Sequence, residues 1–294
     1  MKKREIGVSV VMGVYNQRNR QVLLDAVNSI LNQTFSDFEF IIYDDGSDET
    51  AAEYIRKLRD LDERIILIGK EENHGLAFSL NECIRKANGK YIARMDADDI
   101  ALPARLEKQV AFLEQHPEYM WCGTNTYLFD ADGIWGERKM PEEPQKTDYL
   151  KFSPYIHPTV VYRTEIFTQM KGYDESSQTL RCEDYELFMR FHQAGYRGYN
   201  IQESLFQYRE DKTSFARRSM GFRIQETKLR YRNFKDMHLL FPKGWIYVLR
   251  PLVGGLLPDH LLMWLKRKEA KHADTREKEE SLVLQTNTTR KTNL

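Results

Sequence analysis

Three acidic residues close together carry the first chemical signal in this chain. Asp96-Ala97-Asp98-Asp99 follows the apolar run Tyr91–Met95. Side chains alternate along an extended segment, so Asp96 and Asp98 set two carboxylates on one side. Hard oxygen donors that close together suit Mg²⁺ or Mn²⁺, which keep several waters and take further ligands from substrate phosphates. That chemistry points to a nucleoside diphosphate rather than an all-protein metal cage. The competing use is structural: Asp98 or Asp99 could cap the helix expected around Pro103.

The usual nucleotide grips are missing. No GxGxxG follows the first apolar run, and no GxxxxGK[ST] occurs, which disfavours a dinucleotide site and a P-loop. A nucleotide would need another hold. Tyr15 offers a ring that can stack on a base, and Asp45 can accept hydrogen bonds from base or ribose. Tyr15 taken singly also suits a structural aromatic at a strand end.

The elements that must position these groups alternate. Buried-strand patterns occur at Ile6–Met12, Phe38–Tyr43, Ile65–Ile68 and Tyr91–Met95. Between them lie helical patterns: Leu23 to Leu31, then Ala52, Ile55 and Leu58, then Gly75 to Ala87. Ser47 or Asp48 suits the cap of the second helix. A further helix runs from Pro103 through Leu113. This alternation predicts an α/β fold with right-handed crossovers and a largely parallel sheet. Ligands of such sheets sit outside the carboxyl ends of the strands, where Tyr15, Asp45 and Asp96 to Asp99 all fall.

Composition narrows the class. The chain has 294 residues, 41% of them hydrophobic, with 44 Lys and Arg against 44 Asp and Glu. That is enough apolar material for a core and too little net charge for a wholly basic nucleic-acid binder. Cys83, Cys122 and Cys182 form no CxxC pair, so neither a zinc ribbon nor a disulfide framework is expected. A reducing cytoplasm fits. The basic start is not followed by a signal-peptide core.

Taken together, five stretches resemble the family 2 glycosyltransferases, the inverting GT-A enzymes. They are Val8–Asn16, Ser29–Glu39, Tyr43–Ser47, Asn73–Leu76 and Gly89–Asp99. The likeness is close over 6–115, looser to about 205 and absent beyond. Gly13 departs from it, since many members have proline or a small polar residue there. The resemblance implies a GT-A fold, a Rossmann-like, mostly parallel sheet flanked by helices. It implies that Tyr15 packs on uracil or another base, that Asp45 accepts from base or ribose, and that Asp96 and Asp98 form a DxD pair with Asp98 the direct ligand of Mn²⁺ or Mg²⁺. Cys182-Glu183-Asp184-Tyr185 is similar to the family's ED motif, which makes Asp184 the catalytic base. Apart from the resemblance, Glu183 and Asp184 also suit the first turn of an amphipathic helix through Leu187 and Phe191. His157-Pro158 resembles a segment that often precedes the ED motif; His157 could touch phosphate or acceptor, or simply serve a turn.

Beyond residue 210 the composition changes. Basic and aromatic residues interleave from Lys212 to Arg250, and the apolar residues of 246–265 are broken by Arg250, Pro251, Pro258, Asp259 and His260. The breaks argue against a spanning helix. An interfacial pair of short helices on an anionic leaflet is favoured over an extension packed on the catalytic domain. The expected organisation is therefore a GT-A nucleotide-sugar-binding and catalytic domain over 1–210, a helical basic and aromatic extension over 211–268 in contact with membrane, and a charged, polar, disordered tail over 269–294. The QxxRW motif of the processive polysaccharide synthases is absent, so transfer of a single sugar is expected. The expected activity is an inverting, metal-dependent glycosyltransferase. It would move the sugar from a nucleotide-sugar, a UDP-sugar, to a glycan or lipid-linked glycan in the cytoplasm, at the inner face of the membrane, as in bacterial surface-polysaccharide assembly. No nucleic-acid partner is expected. Two rivals remain: a nucleotidyltransferase, which should show a glycine- and lysine-rich loop after the first strand, and a non-catalytic sugar-nucleotide-binding scaffold.

Overall fold

The computed structural model describes residues 6–210 and 220–255. Its first half follows the α/β alternation: β1 (Ile6–Val14), α1 (Arg20–Leu31), β2 (Phe38–Asp45), α2 (Glu49–Arg56), β3 (Ile65–Lys70), α3 (Leu76–Lys86) and β4 (Gly89–Arg94). Caps arise as the sequence suggests. Asn19 Oδ1 accepts from the N–H groups of Gln21 and Val22, and Asp48 accepts from Ala51. The second half contains β5 (Ile100–Ala101), α4 (Arg105–Gln115), β6 (Trp121–Asp130), β7 (Gly133–Arg138), β8 (Val161–Arg163), α5 (Glu165–Met170), α6 (Glu183–Gln193) and β9 (Gly198–Arg209). Two helices follow, α7 (Met220–Asp236) and α8 (Trp245–Gly255).

One sheet carries all nine strands, in the order β3-β2-β1-β4-β8-β6-β9-β5 with β7 on β6. β1 to β4 are parallel, and β1 lies between β2 and β4. The chain thus reverses its direction of growth across the sheet beside β1, the switch point where open α/β sheets place ligands. β8 then pairs antiparallel with β4, and Arg94 N–H donates to Val160 O at 3.0 Å. This is the mostly parallel, helix-flanked sheet expected from the sequence.

Strand alternation divides the core. Val8, Val10 and Met12 of β1 face α1, α2 and α4 with Leu23, Ile55 and Leu106. Val11, with Ile41 and Tyr43 of β2, faces α3 and α6 with Leu80, Leu187 and Phe188. Gly13 has a local reason. A Cβ there would stand 3.1 Å from Ser79 Cβ and 3.2 Å from Leu76 Cδ1, so the small residue lets α3 approach β1.

The helical extension is packed through the second half of α7. Leu229 and Phe234 of α7 are buried in the second core, Gln193 Nε2 of α6 donates to Asn233 Oδ1 at 3.1 Å, and the Arg230 guanidinium lies 4.9 Å from the Tyr185 ring centre. One face of α7 thus packs on α6 and the second core. Of the apolar stretch 246–265, only its part in α8 is described, and the 269–294 tail lies outside the described residues. Among the described residues no helix is long and apolar enough to cross a membrane.

Candidate active site

The turns after β1 and β2 meet. Asn16, in the left-handed region at φ 48°, donates its N–H to Ser47 Oγ at 2.9 Å, and its Oδ1 accepts from Asp48 N–H at 2.9 Å. Beside it Tyr15 is 54% exposed, a ring left open at the strand end. Asp45 is buried. Its Oδ1 accepts from His74 N–H at 2.9 Å, and its Oδ2 accepts from Gly75 N–H at 2.7 Å and Asn73 Nδ2 at 2.8 Å. Gly75 has φ 93°, a turn open to glycine, and leads directly into α3. Much of the Asp45 carboxylate's capacity is thus used to anchor this loop, a role the sequence did not suggest.

Asp96, Asp98 and Asp99 gather just past β4, with one carboxylate oxygen of each within 4.8 Å of the others. They do not cap the next helix, whose N-cap is Ala104 with no side-chain cap bond. Asp96 pairs with the Arg94 guanidinium. Asp99 is fully buried; Oδ1 accepts from Arg209 N–H at 2.7 Å while Oδ2 has no hydrogen-bond partner among the described residues. Arg209 Nε also donates to the Asp98 carbonyl at 3.0 Å, tying the cluster to the end of β9. Burial, reinforced by the charges of Asp96 and Asp98, pushes the Asp99 carboxyl well above the usual range. Three crowded carboxylates, the half-buried Asp96 and Asp98 beside the buried Asp99, are what a divalent cation would satisfy, and an all-oxygen donor set suits Mg²⁺ or Mn²⁺.

Glu183 and Asp184 form the first turn of α6. Burial, with the charge of Asp184 added, pushes the Glu183 carboxyl up to about 7 against the pull of Arg94; Asp96 acts on it too. The two acidic elements, almost ninety residues apart in the chain, therefore lie within electrostatic reach of one another. The charge of Asp184 acts also on the phenols of Tyr162 and Tyr173. The loop before α6 is pinned from both sides. Asn81 of α3 accepts from Tyr173 N–H at 2.8 Å and donates to its carbonyl at 2.9 Å, and Arg190 of α6 donates to Gly172 O at 2.8 Å. His157 is buried behind this arrangement, hydrogen-bonded through Nε2 to Tyr173 Oη at 2.8 Å. Burial, with Arg94 adding, holds its pKa well below the ordinary imidazole range, and it stands in the short turn His157–Thr159.

Arg94 is the member of the site that the sequence reading left without a role. Its side chain is 3% exposed, it pairs with Asp96, and its charge acts on Asp99, Glu183 and His157. Its Nε has no hydrogen-bond partner among the described residues. The signal was present, since Arg94 stands two positions before Asp96 and hence on the same side of an extended segment.

Residues 9–171 match the family model Glycosyl transferase family 2. The chain is 40% identical over 255 residues to the putative glycosyltransferase EpsE of Bacillus subtilis, covering 85% of this chain and 90% of that protein. It is 32% identical over 220 residues to the O-antigen biosynthesis glycosyltransferase WbnJ of Escherichia coli, covering 73% and 84%. Among solved structures, S. aureus TarS 1-349 in complex with UDP-GlcNAc superposes with a TM-score of 0.61 at 17% identity, covering 85% of this chain and 82% of that one, a likeness of fold.

Proposed function

This chain belongs to glycosyl transferase family 2, and we propose that it moves a single sugar, with inversion, from a UDP-sugar to a hydroxyl of a glycan or lipid-linked glycan. What carries the reading is one guanidinium shared by two acidic elements: Arg94 pairs with Asp96 and acts on Glu183, so the acids after β4 and those on α6 serve one site. Tyr15 packs on the base, and Asp45 adds an acceptor for base or ribose while holding the 73–75 loop. Asp98, with Asp96 alongside it, would hold Mn²⁺ or Mg²⁺, which would supply Lewis-acid neutralisation of the charge on a departing diphosphate.

Asp184 takes the proton of the acceptor hydroxyl as its oxygen attacks the anomeric carbon. The bond from that carbon to the β-phosphate oxygen breaks on the opposite face, UDP leaves, and the configuration inverts. The raised Glu183 beside it limits the negative charge crowded onto this turn. The WbnJ and TarS likenesses support the polysaccharide setting and the UDP-sugar class respectively. In this reading the reaction runs in the cytoplasm, at the inner face of the membrane.

Calorimetry of the full chain against a panel of UDP- and GDP-sugars with Mn²⁺, followed by NMR of the product's anomeric signal, tests this. UDP-sugar binding and inverted product are expected. A retained configuration, or binding of nucleoside triphosphates without any sugar nucleotide, sinks it.

A further inference from the structure

α8 is apolar on two faces. Val248 and Pro251 bury one face, and Arg223 of α7 donates to Pro251 O at 3.3 Å. The opposite face is apolar and open. Trp245, Ile246, Leu249 and Val253 follow helical spacing along it, Ile246 being 70% exposed, and Phe241 just before the helix is 83% exposed. Tyr231 of α7 meets Trp245 with ring centres 5.4 Å apart, so the outer face of α7 continues this surface. That face presents Lys228, Arg232 and Lys235, and Lys243 and Arg250 flank α8, all exposed. Residues 220–255 hold seven Lys and Arg against two Asp and Glu, in a chain of zero net charge.

An exposed apolar strip rimmed by cations, with tryptophan and tyrosine at the junction, has the chemistry of an anionic bilayer surface. A protein partner would need to match both the bare apolar ridge and the surrounding positive charge; an anionic leaflet supplies both at once. The surface also adjoins the catalytic side. Arg232 donates to Gln178 Oε1 at 3.3 Å, and the Arg181 guanidinium lies 4.7 Å from the Phe222 ring centre, both in the loop that leads to Asp184.

We propose that the α7–α8 surface docks on an anionic membrane, with Phe241, Trp245, Ile246 and Leu249 entering the interface and the lysines reading its charge. Docked so, the loop before Asp184 faces the leaflet, and an acceptor carried on a lipid meets the base without leaving the bilayer. This last step rests on the lipid-linked acceptor of the preceding reading; the docking itself does not.

Co-sedimentation of the full chain with phosphatidylcholine vesicles, with and without phosphatidylglycerol, tests the docking. Binding is expected only to the anionic vesicles and should weaken with salt. Lys228→Gln, Lys235→Gln and Lys243→Gln together should weaken it about a hundredfold, at about fivefold per charge. Ile246→Ser with Leu249→Ser should abolish it while leaving UDP-sugar affinity and the melting temperature unchanged, which separates a failure of docking from a failure of the donor reading. Equal binding to both vesicle types, or binding indifferent to both sets of substitutions, overturns the proposal. So does a dimer that ignores vesicles and is dissolved by Ile246→Ser, which would assign the face to a second copy of the chain.

Discussion

Arg94 and Asp96, two positions apart at the end of β4, form an ion pair whose guanidinium is almost sealed from water. Removing one partner of a buried pair leaves the remaining charge uncompensated. Here the loss would reach further, because Arg94 also offsets Asp99 and Glu183. Arg94→Met is expected to lower turnover by about a hundredfold or more. Arg94→Lys, which keeps the charge but not the planar fork, should recover part of it. Steady-state kinetics alongside thermal melts check this; full activity in the Met variant would reduce Arg94 to a packing role.

The proposed ion ligand is tested by Asp98→Asn. UDP affinity of the wild-type chain should rise on adding Mn²⁺, and the variant should lose that increment while still folding. Titration calorimetry with and without the ion reads the difference. An undiminished Mn²⁺ effect would take Asp98 out of the site.

Asp184→Asn separates base from binding. The amide keeps the shape of the first turn of α6 but takes no proton. UDP affinity should stay within a few fold while turnover falls by about a hundred- to ten-thousandfold. Retained turnover would move the base elsewhere on the acidic wall.

Asp45→Ala removes the acceptor for two backbone N–H groups and the Asn73 amide. Unsatisfied donors at a buried site cost on the order of 3 kcal/mol in all, and the Gly75 turn should loosen. Urea unfolding should register the loss, and UDP titration a weaker grip. A variant as stable as the parent would mean that water replaces the carboxylate there without penalty.

A pH response is expected far from the chemistry. His192 is hydrogen-bonded through Nδ1 to Tyr149 Oη at 2.6 Å, and burial lowers its pKa from 6.5 to about 4. The folded state holds it neutral where the unfolded chain binds a proton. The stability it contributes is therefore complete above about pH 6.5 and is lost as pH falls toward 4, by about 3 kcal/mol. His192→Gln should flatten that part of the profile in urea melts at stepped pH; an unchanged slope would refute the assignment.

The regular βα units were legible because β1, β2 and β4 are buried on both faces and, with the edge strand β3, read as apolar runs. β6 was not. Its Thr124, Asn125 and Thr126 are buried polar residues whose partners come from distant segments, Thr159 Oγ1, Met140 N–H and Phe206 O among them. Nothing local marks such a strand, since its satisfaction depends on long-range register. The site divides in the same way. Asp96, Asp98 and Asp184 stood out as motifs, whereas Arg94 and the anchoring use of Asp45 depend on which groups the fold turns inward. The extension was read as basic and aromatic from its composition, but that α7 packs by Leu229 and Phe234 while α8 faces outward could not be told from residue types that both helices share.

β9 lies between β6 and β5 in the sheet, and its last residue, Arg209, binds both Asp99 and the Asp98 carbonyl. A minimal fragment cut where the family match ends, at residue 171, would strip out an interior strand and the fastening of the acidic loop together. The smallest piece of this gene product worth expressing therefore extends at least through Arg209, some forty residues past the end of the family-model match.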